Sequence, residues 1–409
     1  MLIVQKYGGS SLANSEMIRN VAHRIAWSHN QGHRLVVAVS AMGDLTDDLL
    51  QIAGEVSSLP SPRELDVLLS TGELQSCALV SMALQSLGEN SISLSGAQAG
   101  ILTDSSYGKA KISGLDLSRI KNELDNGNIV VVAGFQGITS HYDVTTLGRG
   151  ASDLTAVALA AGLKAGRCEI YTDVDGIYTA DPRLVPDARK LDEIGFEEML
   201  ELASYGAKMN PRSIELGMVY GVPILVASSF KEVKGTLIHE VSDMNLNVGE
   251  IRNRVSGIAT EKGVAKITVC GVEDRPGIAA SLFVPLAEAD ISVDVIVQNA
   301  SESGKTDLTF TVKNVDLPRS LTKVEEVAKE LGSDRIDTTT DLAKVSIVGT
   351  GMQGSSGYAS KMFSALADSG VNIEMITTSE IRITCIIQEK YLSDAARFLH
   401  EVFEMVKPD

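Results

Sequence analysis

The C-terminal third of the chain contains an internal repeat, which restricts the fold more than any other feature of the sequence. The segment Ala265–Val269 (AKITV) has the pattern of Ala343–Ile347 (AKVSI), and Gly277–Ile296 has the pattern of Gly357–Ile376. Such self-similarity indicates two copies of one supersecondary unit. Each copy reads as strand, glycine turn, helix, strand, strand and helix, so we predict two small modules of the ferredoxin-like βαββαβ type.

The second copy is one strand short. The first copy has a candidate closing strand at Ile336–Thr340, whereas the second ends in a predicted helix at Asp394–Val402. The apolar run Val255–Ala259 precedes the first copy and is a candidate for the missing edge strand, which would nest the first module inside the second. We assign residues 241–262 to a linker with this donated strand, and the modules to residues 263–341 and 342–409.

Residues 1–240 alternate short β-branched runs with longer stretches of helical periodicity, which is typical of a mostly parallel α/β sheet. A helix is predicted from Ser15, with Ile18, Val21 and Ile25 on one face. Strands are predicted at Leu2–Gln5, Leu35–Val39, Ile129–Ala133, Cys168–Tyr171 and Ile224–Ala227. Ligands of such sheets bind beyond the carboxyl ends of the strands, so the loops that follow the strands are the candidate site.

Charge and cysteine usage exclude several classes of protein. The chain has 53 acidic and 36 basic residues and a net charge of -17, which opposes general binding to nucleic acid or acidic lipid. The four cysteines are scattered through apolar stretches, so neither a disulfide framework nor a zinc site is indicated. No signal-peptide composition is present. We expect a cytoplasmic protein with no nucleic-acid or membrane partner and no metal-ligating cluster.

The first predicted strand leads into the segment Lys6-Tyr7-Gly8-Gly9-Ser10-Ser11. Paired glycines let the backbone approach an anion, amides at a helix start donate to phosphate oxygens, and a lysine adds positive charge. The segment fits neither the GxxxxGK[ST] nor the GxGxxG phosphate loop. On local sequence alone, a plain turn with a solvated lysine is the simpler interpretation.

Two further loops follow predicted strands. Val39–Thr46 is rich in small and hydroxyl residues, which by itself indicates a capped turn. In Leu147–Asp153 (LGRGASD), Ser152 is predicted to cap the next helix and Asp153 to complement its dipole. Arg149 has no such structural role: between two glycines it suits bidentate recognition of a carboxylate or phosphate, with an ordinary surface arginine as the alternative.

The segment Tyr171–Arg183 has an acidic spacing that resembles a calcium loop. The closing glutamate of such a loop would fall on Pro182 or Leu184 in the two registers, so calcium binding is excluded. Two interpretations remain: a nucleotide-binding loop with Asp181-Pro182-Arg183 as a rigid turn, and an ordinary acidic turn.

Taken in order, these motifs resemble those of the aspartokinases, a group within the amino-acid-kinase family. The resemblance rests on Lys6–Ser11, Ser70–Glu73 (STGE), Leu147–Asp153 and Tyr171–Arg183, followed by repeats that resemble paired ACT domains. It covers nearly the whole chain and implies a three-layer α/β/α kinase domain at residues 1–240. Aspartokinases use ATP and Mg²⁺ to convert L-aspartate to 4-phospho-L-aspartate, the entry to lysine, threonine and methionine biosynthesis.

The resemblance also implies roles for individual residues. The expected catalytic residues are Lys6, Glu73, Arg149 and Asp153. Those expected around the aspartate are Ser40, Thr46, Glu73, Arg149, Ser152 and Asp153. Those expected around the nucleotide are Lys6, Gly8, Gly9, Ser10, Thr172, Asp173, Tyr178, Asp181, Arg183 and Lys208. Because the substrate carboxylate is already a nucleophile, no general base is needed and catalysis rests on positioning and charge neutralisation.

The repeated modules resemble amino-acid sensors, which implies feedback regulation by lysine, threonine or both. The positions matching effector contacts are Asp274, Gly277, Ile278, Ala279, Gln298 and Asn299 in the first copy, and Asn372 and Ile373 in the second. A homo-oligomer formed through these modules is expected, with a shorter C-terminal subunit starting near Met244 as a further option. The alternative is that the modules only dimerise.

The chain departs from the family pattern at three places: Ala151 replaces a glycine, Ser356 replaces a proline, and the segment Gly206–Arg212 is one residue short and lacks a histidine. The changes at Ala151 and around Lys208 keep open a catalytically inactive amino-acid sensor or partner subunit, whereas Ser356 bears on effector binding at the second turn. The nearest enzymatic alternative is another amino-acid kinase, with glutamate, acetylglutamate or a nucleotide monophosphate as acceptor.

Overall fold

The computed structural model describes residues 1–204, 209–240, 255–299, 304–352 and 356–405. By internal packing the chain divides into two units. The first comprises Met1–Ile177 and Lys190–Val248, and the second comprises Tyr178–Arg189 and Gly249–Asp409. Two residues singled out in the sequence, Lys208 and Met244, lie outside the described residues.

The first unit is an α/β domain built on one large sheet and one small one. Its strands are β1 (Leu2–Tyr7), β2 (Arg34–Val39), β3 (Ser91–Leu94), β4 (Ile101–Thr103), β5 (Ile112–Leu115), β6 (Ile129–Ala133), β7 (Gln136–Ile138), β8 (Val144–Thr146), β9 (Arg167–Thr172), β10 (Glu193–Gly195), β11 (Ile224–Ser228) and β12 (Thr236–His239). Its helices are α1 (Ser15–Asn30), α2 (Leu45–Val56), α3 (Pro62–Ser86), α4 (Ser118–Asp125), α5 (Ser152–Leu163), α6 (Phe196–Ser204) and α7 (Pro211–Tyr220).

The large sheet has the strand order β10-β12-β11-β9-β1-β2-β6-β3 and is parallel except where β12 meets β11. All five strands and the helix predicted in this region are confirmed. Strand β1 lies between β2 and β9, so the strand order reverses there and the loops after these strands open at one edge of the sheet. The small sheet, β5-β4-β7-β8, carries the segment that leads to Arg149.

The core of the first unit forms because the central strands are apolar throughout and helices cover their faces. Residues of β2 and β6 such as Val37 and Val131 are fully buried, and Ile18 and Ile25 of α1 pack against the same cluster. Burial of each such side chain contributes about 1.5–3 kcal/mol. Helix α3 is long and apolar enough to cross a membrane by length and composition alone, but half of that stretch is buried inside the structure.

The second unit contains the two repeated modules. Its strands are β13 (Gly257–Glu273), β14 (Asp294–Gln298), β15 (Lys305–Lys313), β16 (Arg335–Val348), β17 (Met375–Thr378) and β18 (Arg382–Gln388). Its helices are α8 (Ile278–Glu288), α9 (Leu317–Glu330), α10 (Tyr358–Asp368) and α11 (Leu392–Val402). The strands form one antiparallel sheet in the order β14-β15-β13-β16-β18-β17.

The two long strands, β13 and β16, are each shared between the modules. The C-terminal part of β13 pairs with β15 and the first part of β16, whereas its first part pairs with the second part of β16, with Ile258 opposite Ile347. The run that the sequence offered as the missing edge strand therefore does lie at the edge of the second module. One continuous strand serves both copies because a register shift near Gly263 allows it to change partners.

Within residues 1–240, the range predicted for the first domain, one segment belongs to the second unit. Segment Tyr178–Arg189 follows β9 in sequence, yet it packs with the second unit. Its apolar residues Ala180 and Val185 are buried in the same core as Val345 and Leu399. Burial of these side chains is the physical reason for the assignment.

Candidate active site

The centre of the candidate site is an ion pair between Lys6 and Asp153. Lys6 is near the end of β1, and its Nζ lies 2.7 Å from Oδ1 of Asp153 in the first turn of α5. Both side chains are about nine-tenths buried. The structure thereby brings together two of the four predicted catalytic residues, at the edge of the sheet where the strand order reverses.

The two glycines after Lys6 form a close-packed turn. A Cβ on Gly9 would lie 2.8 Å from the carbonyl oxygen of Ala41, and one on Gly8 would lie 3.4 Å from Nζ of Lys6. The Gly9 carbonyl accepts from the amide of Gly43, which fixes this turn to the loop after β2. Ser10, next in the turn, is exposed.

The turn does not lead directly into α1, as the sequence pattern implied. A short 3₁₀ turn, Gly9–Leu12, lies between Gly8 and α1. The first amides of α1, those of Glu16 and Met17, donate to Oδ1 of Asn14, which caps the helix. The cap therefore satisfies these two donors within the protein.

Glu73 is buried on α3 with one carboxylate oxygen held and the other free of a hydrogen-bond partner. Its Oε1 accepts from the amide of Ala41 at 3.2 Å, next to Ser40 at the end of β2. Oε2 is buried with no hydrogen-bond partner among the described residues. Burial raises the pKa of Glu73 to about 7, although the Ala41 amide opposes the shift. Gly72 permits this approach, since a Cβ there would lie 2.9 Å from Cβ of Ala41.

Arg149 lies in an exposed loop and does not contact the Lys6–Asp153 pair. It is 77% exposed, and its Nη2 lies 2.8 Å from Oδ1 of Asp47, in the first turn of α2 next to Thr46. The structure therefore places the predicted carboxylate clamp beside another predicted substrate residue, where the guanidinium can be reached from solvent.

The sequence also predicted the wrong cap for α5. Ser152 is the first helical residue, and the N-cap position is Ala151, whose side chain makes no capping bond. Ser152 instead packs against Gly134 after β6, where a Cβ would lie 2.9 Å from the serine Cβ. Ala151 has φ of −81°, a conformation that any L-residue adopts, so its departure from the family glycine causes no backbone strain.

The end of β9 carries the first part of the predicted nucleotide loop. The hydroxyl of Thr172 donates to Oδ1 of Asp173, and the Thr172 carbonyl accepts from the amide and hydroxyl of Ser229 after β11. Ser229 also accepts from the hydroxyl of Ser11. The loops after β1, β9 and β11 are thus joined by a chain of hydrogen bonds.

The rest of the predicted nucleotide loop belongs to the second unit. Tyr178, Asp181 and Arg183 lie in the segment Tyr178–Arg189. The predicted rigid turn is present: the carbonyl of Asp181 accepts from the amide of Leu184, and the Asp181 carboxylate pairs with Arg183.

The predicted effector positions surround two matching turns in the second unit. Gly277 precedes α8 with φ of 92°, and Gly357 precedes α10 with φ of 103°, so both require the left-handed conformation that glycine adopts most easily. The amide of Asp274 donates to the carbonyl of Gly304, which places it beside the β14–β15 hairpin. Ile278 is buried and Ala279 half-buried, whereas Gln298, Asn299 and Asn372 are exposed and Ile373 is half-buried.

Two residues that organise the site carried no recognisable signal in the sequence. Asp66 is buried on α3, and Arg212 at the start of α7 donates to the carbonyls of Leu147 and Ala110 at 2.7 and 3.1 Å. In the sequence, Arg212 is only the last residue of the shortened segment Gly206–Arg212, which assigns it no role of its own. Within the described ranges, no cluster of three or more His, Cys, Asp or Glu side chains could hold a metal ion.

Comparison with known proteins agrees with this architecture. The sequence model of the amino acid kinase family matches residues 1–228, and models of the ACT domain match residues 266–332 and 345–403. The aspartokinase of Mycolicibacterium smegmatis is 48% identical over 407 residues, which cover 98% of this chain and 96% of that protein.

Two solved structures of E. coli aspartokinase III are similar over nearly their whole length. The complex with aspartate and ADP (R-state) has a TM-score of 0.82 at 25% identity and covers 98% of this chain and 99% of that chain. The complex with lysine and aspartate (T-state) has a TM-score of 0.73 at 25% identity, with the same coverage.

Fold and sequence together define a kinase whose amino-acid-kinase domain is followed by two ACT domains. Within that class, the chain belongs to the aspartokinase family.

Proposed function

We propose that this protein transfers the γ-phosphoryl group of ATP to the side-chain carboxylate of L-aspartate, which forms 4-phospho-L-aspartate and ADP. The observation that carries the proposal is the buried Lys6–Asp153 pair beside the Gly8–Gly9 turn, at the edge where the parallel strand order reverses. Two findings support it. The chain is 48% identical to an aspartokinase over nearly its whole length, and the similar E. coli structure contains aspartate and ADP.

In the proposed reaction an aspartate carboxylate oxygen attacks the γ-phosphorus while the bond from that phosphorus to the bridging oxygen of ADP breaks. Lys6 neutralises negative charge on the transferring group, and Asp153 fixes the ammonium in place. No proton has to be removed from the nucleophile. Mg²⁺, when bound with the nucleotide, would supply further charge neutralisation on the phosphate oxygens.

Glu73 is suited to hold the α-ammonium of aspartate. Its buried Oε2 has no hydrogen-bond partner in the described part of the chain, and an ammonium donor would satisfy it. Arg149 is suited to pair with a carboxylate of the substrate, since it is exposed and held by a single surface ion pair with Asp47. Such a pair contributes little on its own and can be exchanged for a substrate carboxylate.

The reaction is tested by following ADP release and trapping the acyl phosphate with hydroxylamine, using ATP, Mg²⁺ and either aspartate or glutamate. We expect aspartate-dependent hydroxamate and a fall in kcat of about 100-fold or more in Lys6→Met. Lys121→Met, an exposed lysine on α4, is the matched control and should retain activity. Absence of aspartate-dependent product from the wild type under every effector condition would overturn the proposal.

For regulation, we propose that lysine, threonine or both bind at the turns around Gly277 and Gly357 and inhibit the enzyme. In support, both turns are open, since no atom of the described residues lies within 4 Å of a Cβ added at either glycine, and the E. coli T-state structure contains lysine. Initial rates with each amino acid alone and with both together test this. Equal rates under all four conditions would contradict it.

The cellular setting follows from the reaction. We infer a cytoplasmic enzyme at the first step of lysine, threonine and methionine biosynthesis, which forms a homo-oligomer through its ACT domains, with a shorter C-terminal subunit as a variant of that assembly. Light scattering of the purified full chain tests the oligomer, and a monomer at all concentrations would contradict it. Gel analysis of the expressed gene product tests for a second, shorter chain.

A further inference from the structure

Asp66 is a buried carboxylate that joins three parts of the first unit. It lies on α3, about two turns before Glu73 on the same face, and it is only 1% exposed. The amide of Gly108, in the β4–β5 loop, donates to Oδ2 at 2.9 Å. The amide and hydroxyl of Thr146, the last residue of β8, donate to Oδ2 and Oδ1 at 2.9 and 2.6 Å.

Every described partner of this carboxylate is a hydrogen-bond donor. An ionised carboxylate only accepts, so it suits this set, and hydrogen bonds to a charged acceptor are about twice as strong as neutral ones. An asparagine would turn an NH₂ group toward at least one of these donors. The substitution would therefore replace charged hydrogen bonds with neutral ones and force the Thr146 hydroxyl to accept instead of donate, at a cost of about 1–3 kcal/mol.

The bonded residues hold the base of the loop that presents Arg149. Thr146 is followed directly by Leu147, whose carbonyl accepts from Arg212 at 2.7 Å. The same arginine donates to the carbonyl of Ala110, and the Ala110 amide donates to the Thr146 carbonyl at 2.9 Å. The loop is thus fixed on one side by Asp66 and on the other by Arg212.

Past its base, the loop has few contacts with the described residues. Leu147 is buried and its amide donates to the carbonyl of Phe135. Gly148 and Gly150 have φ of 93° and 76°, and a Cβ on either would have no described atom closer than 3.7 Å. Arg149 itself is exposed, and its ion pair with Asp47 lies at the protein surface. The position of the guanidinium is therefore determined at the base of the loop.

We propose that Asp66 is a positioning residue for aspartate binding: it acts through Thr146 and Gly108 to hold the Leu147–Gly150 loop so that Arg149 meets the substrate carboxylate. This inference rests on the proposed function. In this proposal, two residues of α3 serve opposite ends of the substrate: Glu73 contacts the ammonium group, and Asp66 fixes the loop that places Arg149 at the carboxylate.

The test measures kcat and the KM values for aspartate and ATP in Asp66→Asn. We expect the KM for aspartate to rise about tenfold, in line with the loss of one charged hydrogen bond, while the KM for ATP and kcat change less than threefold. Thr146→Val, which removes only the hydroxyl donor, should shift the same KM in the same direction by less. Asp125→Asn, at the exposed end of α4, is the matched control and should leave all three constants unchanged.

Two results would overturn the inference: an unchanged KM for aspartate in Asp66→Asn, including the case in which only kcat falls in proportion to a smaller folded fraction seen by thermal melting, or a rise in the KM for ATP as large as that in the KM for aspartate. A wild type without aspartate kinase activity would instead overturn the proposed function. Hydrogen exchange gives a second readout, in which the amides of 104–111 and 146–150 should exchange faster in Asp66→Asn while those of β1 stay protected.

Discussion

The hydroxyl of Thr179 lies 2.9 Å from Nε2 of His400, and both residues are buried. Thr179 follows β9 in sequence, whereas His400 is in α11, the last helix of the second unit. The Thr179 hydroxyl also accepts from the amide of Arg189, and the Thr179 carbonyl accepts from the amide of Ile258 in β13. Burial lowers the pKa of His400, so the ring is held neutral. The segment with Tyr178, Asp181 and Arg183 is thereby bound to the ACT unit.

Thr179→Val should loosen this segment. The change keeps the shape of the side chain but leaves the buried His400 ring without its partner, which costs about 1–3 kcal/mol of unfolding free energy. Hydrogen exchange should show faster exchange of the amides of 178–189, and the KM for ATP should rise if these residues contact the nucleotide. Thr179→Ser keeps the hydroxyl and should resemble the wild type. Equal behaviour of the two variants would contradict the prediction.

The pKa of about 7 for Glu73 predicts how aspartate binding depends on pH. Only the ionised carboxylate can hold an ammonium by charge, so the KM for aspartate should fall as the pH rises through about 7. In Glu73→Gln the KM should be higher and should lose this dependence. Initial rates between pH 6 and 8 provide the measurement, and a wild-type KM that rises with pH would count against the role of Glu73.

The free energy of unfolding should also depend on the ionisation of Glu73, but it should decrease as the pH rises, whereas aspartate binding improves. The folded pKa of Glu73 lies above its ordinary value of 4.5, so the folded state binds more protons than the unfolded state between pH 4.5 and about 7. The free energy of unfolding should therefore decrease over this range, by about 3 kcal/mol at most, and be level above it. Urea denaturation of the wild type and of Glu73→Gln should differ in slope against pH in this window.

Gly9→Ala should destabilise the first unit more than Gly8→Ala does. The new Cβ at position 9 meets the backbone oxygens of Ala41 and Gly43 at 2.8 and 3.0 Å, which cannot move without shifting the loop after β2. We expect a loss of about 1–3 kcal/mol. At position 8 the nearest atom is the flexible Nζ of Lys6, at 3.4 Å, so the main effect should be on kcat. Thermal melting and initial rates together distinguish the two outcomes.

Two lysines at matching positions of the repeat, Lys266 and Lys344, each form an ion pair with a carboxylate of the other ACT module. Lys344 of the second module pairs with Glu261 at 2.8 Å and with Asp294 at the start of β14 in the first. Lys266 of the first module pairs with Glu374, just before β17 in the second, at 2.7 Å. Burial alone would lower the pKa of Lys344, but the two carboxylates outweigh it and raise that pKa.

Lys344→Met should therefore destabilise the ACT unit more than Lys266→Met does. The Lys344 side chain is 6% exposed, whereas those of Lys266 and Glu374 are 19% and 23% exposed and better screened by water. Removing Lys344 leaves two carboxylates, those of Glu261 and Asp294, without a cation. Because these side chains are 21% and 48% exposed and partly screened by water, we expect a loss of about 1–2 kcal/mol. Denaturation of the two variants side by side checks the order, and a larger loss in Lys266→Met would reverse the interpretation.

Much of the fold was readable from local pattern. The five parallel strands follow from short β-branched runs, and the repeated modules follow from the similarity of Ala265–Val269 to Ala343–Ile347. The candidate site could be predicted where a residue lies at the carboxyl end of a strand, as Lys6 does. The cap of α5 was mispredicted because the helix begins at Ser152, one residue earlier than the capping pattern implied.

The residues that sequence reasoning missed act through partners far along the chain. Asp66 contacts Thr146 across 80 positions, and Arg212 contacts Ala110 across 102. Neither Asp66 nor Arg212 stands in a pattern that separates it from an ordinary helical residue, because the donors and acceptors they meet come from other elements.

By itself, the sequence determined the kinds of element, their order, the duplication and the chemistry available at each strand end, since these depend on neighbouring residues and on the periods of helix and strand. Only the tertiary structure decided that Asp153 forms an ion pair with Lys6, that Tyr178–Arg189 packs with the ACT unit and that β13 contributes a strand to both modules. Such pairings depend on which distant surfaces bury each other, and burial is a property of the assembled chain.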